Sequence, residues 1–267
     1  MEQLIALGTG NATVIRCYNT CFAIRDEAGC FLVDGGGGNG ILRQLDAANI
    51  PLTDINNAFC SHSHTDHILG MVWVIRMIAQ LMGQNKYQGT FTVYCHRELA
   101  EKLRTIALLT LTPGMTSFFD KTILFRIVEN GETLTILDRE ITFFDILSAK
   151  EKQFGFTARL KNGKKLAFLG DEPYNDKCEP YVRGSDWMLS EAFCLYSQRE
   201  TFKPYEKHHS TAKDAAELAE RLGVPNLILW HTEDKTLATR RQTYAAEARE
   251  YYSGTLYVPD DLDVIGL

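Results

Sequence analysis

No apolar run in this 267-residue chain approaches the roughly 18 residues of a membrane-crossing helix, and the opening MEQLIALGTG lacks a basic stretch ahead of a long apolar one. Membrane-spanning and signal-led classes are therefore set aside, and a cytoplasmic protein is expected. No Cys-x-x-Cys occurs either. The seven cysteines (Cys17, Cys21, Cys30, Cys60, Cys95, Cys178, Cys194) are odd in number and scattered, which argues against a disulfide framework or a zinc ribbon and predicts reduced, buried thiols. Excess positive charge is missing as well: 28 Lys and Arg stand against 34 Asp and Glu, a net charge of −6, so the overall field repels polyanions. The densest basic run, Lys161, Lys164 and Lys165, surrounds Asn162-Gly163, a hairpin signal, and reads as a solvated turn. There is no repeat, low-complexity tract or Pro/Gly/Ser linker, so one domain over residues 1–267 is expected.

What is present is an ordinary globular composition, 45% hydrophobic and 23% charged, with short strands mixed among helices. CFAIR and CFLVD flank Asp26 to Gly29 as a hairpin, GILRQLDAAN reads as a helix, and NNAFCS as a strand. ILGMVWVIRMIAQLMG predicts a buried helix closed by Gly83. STAKDAAELAERLG predicts an amphipathic helix, with a capping box from Thr211 and Asp214 and a C-terminal stop at Gly223. Two strand-rich blocks, each with helices, imply a layered α/β architecture.

Three apolar strands end at metal-competent side chains: AFCSHSH at His62 and His64, KLAFLGD at Asp171, and NLILWH at His231. In an extended segment residues two apart share a side, so His62 and His64 can serve one ion, while Asp66 and His67, past the bend, are displaced toward a second. A carboxylate such as Asp171 can bridge two cations, and imidazole suits zinc, iron or nickel. Two ions about 3.5–4 Å apart hold a hydroxide as nucleophile and stabilise the developing oxyanion. Hydrolysis is the chemistry this points to. His96 reads as part of a helix's first turn, with no functional role.

On SHSHTDH, with LGTGNAT, FLVDGGGG, FGF, FLGDEP, LSEAF, HHSTAKDAAELA and LILWH in order along most of the chain, the sequence resembles the metallo-β-lactamase superfamily, most closely its ribonuclease Z branch. The resemblance implies a four-layer αββα sandwich, a divalent metal site of one or two ions, zinc first with manganese or iron open, and often a homodimer. It also implies His62, His64 and Asp171 at one ion and Asp66, His67, Asp171 and His231 at the other, with Asp66 orienting the attacking water. Asp34 would fix a ligand imidazole or simply cap a strand end, and Gly35 to Gly38 would form an anion nest or a flexible turn. His209 would steady the phosphoryl group or protonate the leaving group, with Glu191 as its partner.

Two departures qualify this. Ala149 stands where the branch has a further ligand histidine, leaving Glu151, Cys194 or water to complete the first ion's shell. Only TARLKNGKKLAFL separates Gly155-Phe156 from Gly170-Asp171, where the branch commonly carries a tRNA-gripping arm. Gripping of tRNA in the usual way is therefore not expected, and small phosphodiesters rank beside RNA-like substrates. The expectation is a metal-dependent, phosphodiesterase-like hydrolase. Hydrolysis of a thioester, lactone or other small ester, and a degenerate metal-binding sensor, remain the alternatives.

Overall fold

The computed structural model describes residues 2–267. The chain forms two compact units, one comprising the segment up to Gly8, Tyr18–Glu129 and Leu262–Leu267, the other Thr9–Cys17 and Asn130–Asp261.

The first unit is built on a seven-stranded sheet. Its strands are β1 (Gln3–Gly8), β2 (Cys21–Asp26), β3 (Gly29–Val33), β4 (Ile55–Phe59), β5 (Phe91–Cys95), β6 (Ile123–Ile127) and the C-terminal β14 (Val264–Gly266), in the order β14-β1-β2-β3-β4-β5-β6. The predicted hairpin is present, with Phe22 opposite Val33 and Arg25 opposite Cys30. From β3 onward the pairing is parallel, because each return passes through a helix. These are α1 (Gly40–Ala47), α2 (Thr65–Gly83) and α3 (Arg97–Thr110), followed by the short α4 (Pro113–Thr116). Ile68, Met71, Val74, Ile75 and Ile78 of α2 are buried in one core with Leu32, Ala58 and Val93 of the sheet. Their spacing puts them on a single helical stripe. The helix begins three residues earlier than its apolar pattern suggests, at Thr65, so Asp66 and His67 lie in its first turn. His96 is the residue capping α3, its ring nitrogen accepting from the Leu99 amide at 3.4 Å.

The second unit carries β7 (Thr133–Ile136), β8 (Arg139–Asp145), β9 (Phe154–Arg159), β10 (Lys165–Phe168), β11 (Trp187–Glu191), β12 (Asn226–Trp230) and β13 (Thr255–Tyr257), in the order β13-β12-β11-β10-β9-β8-β7. Strands β7 to β10 form an antiparallel meander, and β10 to β13 are parallel. Its helices are the short α5 (Glu179–Val182) and α6 (Arg199–Phe202), then α7 (Ala212–Leu222) and α8 (Arg240–Ala248). α7 is capped as its sequence predicts: the Asp214 amide donates to Thr211 Oγ1 at 3.3 Å, the Thr211 amide donates back to Asp214 at 2.8 Å, and Gly223 takes φ +64°. The Asn162-Gly163 turn joins β9 to β10 directly, with Gly163 at φ +83°, so no arm intervenes. Among the described residues no helix is long and apolar enough to cross a membrane.

Candidate metal centre

In the first unit, β4 ends at Phe59 and the chain runs through Ser61 and His62 into α2. His62 Nε2 lies 2.9 Å from His64 Nδ1, so the two rings converge as their spacing predicts. The first turn of α2 adds Asp66 and His67, with His67 Nε2 3.3 Å from Asp66. A carboxylate at the N-terminus of a 19-residue helix also complements the helix dipole.

Asp34, directly after β3, organises this set. Its carboxylate accepts from His67 Nδ1 at 2.9 Å, from the Ser61 amide at 2.7 Å and from Ser61 Oγ at 2.7 Å, and Ser61 Oγ lies 3.0 Å from His62 Nδ1. One buried acid thereby holds two imidazoles, each gripped at Nδ1 and presenting Nε2. Asp34 is fully buried with φ +59°, a left-handed conformation that aspartate tolerates better than most residues. Hydrogen bonds to a charged acceptor contribute about 1.5–3 kcal/mol each, enough to hold it there.

Of the glycines after Asp34, Gly35 and Gly36 form a turn against α2. Gly35 donates to His67 O at 3.0 Å and Gly36 O accepts from the Gly70 amide at 2.8 Å, so α2 rests on this turn backbone to backbone. A Cβ on Gly70 would sit 1.7 Å from Gly35 O.

In the second unit the parallel strands β10, β11 and β12 end side by side, which brings Asp171, Glu191 and His231 together. Asp171 Oδ2 lies 3.4 Å from His231 Nε2, and Glu191 Oε2 3.7 Å from His231 Nδ1. His209, two residues before α7, is pinned by Glu191 at 2.7 Å through Nδ1, while the other Glu191 oxygen accepts from the Ser210 amide at 2.7 Å. Phe193 stacks on the His209 ring at 4.7 Å, almost parallel. Glu191, His209 and His231 form one compact group of metal-competent side chains. His208 next door is exposed.

His231 has φ +55°, and its neighbours over-determine that conformation. The Thr232 amide donates to Thr9 O at 3.0 Å, the Asn11 amide donates to Thr232 O at 2.9 Å, and the fully buried Arg240 donates to Thr232 Oγ1 at 2.8 Å. Thr9 and Asn11 of LGTGNAT thus brace the turn carrying His231.

The donor chemistry of both sets fits a divalent metal: imidazoles and carboxylates, all buried but the half-buried His64, with His67 and His209 oriented by hydrogen-bonded acids in the manner of metal-ligating histidines. The sequence is also informative by comparison. The family described as anti-Pycsar protein Apyc1 matches residues 2–247. The chain belongs to that family. This Apyc1-family member is also similar to the ribonuclease Z of Thermococcus sibiricus, with 24% identity covering 100% of the chain and 97% of that protein. Among solved structures it is similar to the metallo-β-lactamase fold protein YhfI of Bacillus subtilis (TM-score 0.79, 17% identity, 99% of this chain and 98% of that one). It is likewise similar to a diphosphatase of the PhnP family (TM-score 0.74, 15% identity, 100% and 98%). The expected α/β fold, the αββα sandwich of metallo-β-lactamase type, is therefore shown, and with it a fold that binds divalent metal and hosts hydrolases.

Each predicted site residue is placed within its own unit: His62, His64, Asp66 and His67 together in one, Asp171, Glu191, His209 and His231 together in the other. Ser61 escaped the sequence reading, although a hydroxyl opening a histidine motif was its signal. Glu172 escaped it too. That buried acid accepts from Ser148 Oγ at 2.7 Å and from the Ala149 amide at 3.0 Å, so the loop lacking the histidine is tied down. Burial, and then Glu233, push the Cys194 thiol up to about 12 in the metal-free protein.

Proposed function

We propose that this Apyc1-family member is a cytoplasmic, metal-dependent phosphodiesterase of a small phosphodiester, its two units working as one hydrolase domain. In this reading His62, His64, Asp66, His67, Asp171 and His231 hold zinc, as one or two ions. The observation that carries it is the pinning of imidazoles by buried acids, His67 by Asp34 and His209 by Glu191, which has no purpose in a merely solvated loop. Bound there, the metal would supply a hydroxide nucleophile at neutral pH and positive charge against the developing phosphoryl charge.

The chain's own residues divide the remaining work. Asp34 keeps the His67 proton on Nδ1, leaving Nε2 as a ligand atom. Asp66 orients the attacking water. Glu191 accepts from His209 Nδ1 and so fixes that ring beside the phosphoryl group. Phosphorus chemistry is favoured over carbon esters because the names of two similar proteins, a ribonuclease and a diphosphatase, both denote attack at phosphorus. A small substrate is favoured over tRNA because five residues join β9 to β10 and the net charge is −6. A homodimer is the expected assembly, following the resemblance of the sequence.

The test is hydrolysis of bis(4-nitrophenyl) phosphate by zinc-loaded protein, beside Asp66→Ala. Turnover in the wild type and a loss of at least about a hundredfold in the variant support the reading. Full activity in folded Asp66→Ala removes it.

A further inference from the structure

The loop between β8 and β9 carries, next to Ala149, a lysine that no sequence motif singled out. Lys150 Nζ lies 3.4 Å from His209 Nε2, donates to the Lys207 carbonyl at 3.1 Å, and sits 3.6 Å from Glu172 Oε1. We propose that Lys150 is a substrate-anion ligand, its ammonium binding a phosphoryl oxygen beside His209. The proposal deepens the phosphodiesterase reading and rests on it for the identity of the anion.

Hydrogen-bond roles here are set by elimination. The Glu191 carboxylate only accepts, so His209 Nδ1 carries the proton toward it; a neutral imidazole then offers a lone pair at Nε2, and an ammonium only donates. Lys150 therefore donates to His209. That contact and the Lys207 carbonyl use two of the three N–H bonds. Glu172, which accepts from Ser148 and Ala149 of the same loop, is an ion-pair neighbour 3.6 Å from Nζ, just beyond hydrogen-bond distance. One N–H is thus left for a ligand, on a side chain 26% exposed whose charge Glu172 offsets in part.

The surroundings hold this cation still. Glu172 anchors the loop beneath it, Phe193 stacks on the His209 ring, and Glu191 stops that ring from turning. The His209 ring centre is 5.3 Å from that of His231, so the ammonium lies one imidazole beyond a proposed metal ligand. A phosphoryl group can place one oxygen on the metal and the next on a charged donor, and a compact point charge such as lysine's suits it. His209 becomes, in part, the residue that positions Lys150.

The experiment measures binding of inorganic phosphate to zinc-loaded protein by calorimetry at fixed ionic strength, for wild type, Lys150→Met and Lys150→Arg, with thermal melting of each. The proposal expects phosphate affinity to fall about tenfold or more in Lys150→Met, to stay within about threefold in Lys150→Arg, and the melting points to agree. Equal binding by wild type and Lys150→Met overturns it, as does equal loss in both variants or no phosphate binding by the wild type. Hydrolysis of bis(4-nitrophenyl) phosphate, run in parallel, separates the two claims. Lys150-dependent phosphate binding without turnover would sink the phosphodiesterase reading and leave the anion site standing. Turnover with an unchanged KM and phosphate affinity in Lys150→Met would do the reverse.

Discussion

Replacing Asp34 by asparagine tests how the acid behind the histidines works. Asparagine fills the same space and accepts the left-handed φ of +59°, so the backbone has no reason to move. The chemistry changes all the same. The carboxylate accepts three hydrogen bonds, two from Ser61 and one from His67 Nδ1. With the amide oxygen kept by the Ser61 N–H, the amide nitrogen faces His67 Nδ1, which must now accept. The imidazole proton moves to Nε2, the atom the reading needs bare for metal. Loss of such an orienting partner typically costs metal affinity about 10–100-fold, roughly 1.4–2.7 kcal/mol. Exchanging charge-assisted for neutral hydrogen bonds lowers folding stability by about 1–3 kcal/mol. Zinc affinity by competition with a calibrated chelator, with urea unfolding of the metal-free protein, reads both. A folded Asp34→Asn protein with wild-type zinc affinity would refute the reasoning.

Gly70→Ala is expected to destabilise by about 2 kcal/mol or more, since overpacking against a backbone carbonyl 1.7 Å away outweighs the gain of about 1 kcal/mol in helix propensity. Gly83→Ala, at the far end of the same helix with no atom within 4 Å of the new Cβ, should leave urea midpoints unchanged or slightly raised. Burial lifts the Cys95 thiol from 9.0 to about 12. The folded chain therefore holds a proton that the unfolded chain releases, so this contribution is intact below about pH 9 and is lost as pH rises toward 12. Stability should fall by about 1 kcal/mol between pH 9 and 10 from this thiol, and Cys95→Ala should flatten the decline measured by urea titration at those two pH values; an identical slope in the variant would remove the thiol as its cause.

Much of this molecule was legible because its signals are local. The alternation in CFAIR and CFLVD, the Thr211 and Asp214 capping box and the Asn162-Gly163 turn each specify their structure within a few residues. The histidine motif was legible for the same reason. What escaped depends on partners distant in sequence. The three-residue β14 is a strand only because it pairs with β1 from the opposite end of the chain. β11 is short and central, its WMLSE buried at every position, so no alternation marks it. The start of α2 lay hidden in the motif itself, where polar ligands replace the apolar stripe. Nothing in the sequence marks Glu172 or Lys150; only the folded loop joins the first to Ser148 and the second to His209. The glycines after Asp34 were visible, but their reason, the close approach of α2, was not.

The central claim is that the histidine set around His62 to His67 and the Asp171 and His231 set are metal ligands. Elemental analysis after dialysis measures it directly, for wild type, His64→Ala and His231→Ala. The account predicts about one to two zinc ions per wild-type chain and a clear loss in both variants. Full metal content in either folded variant would contradict it.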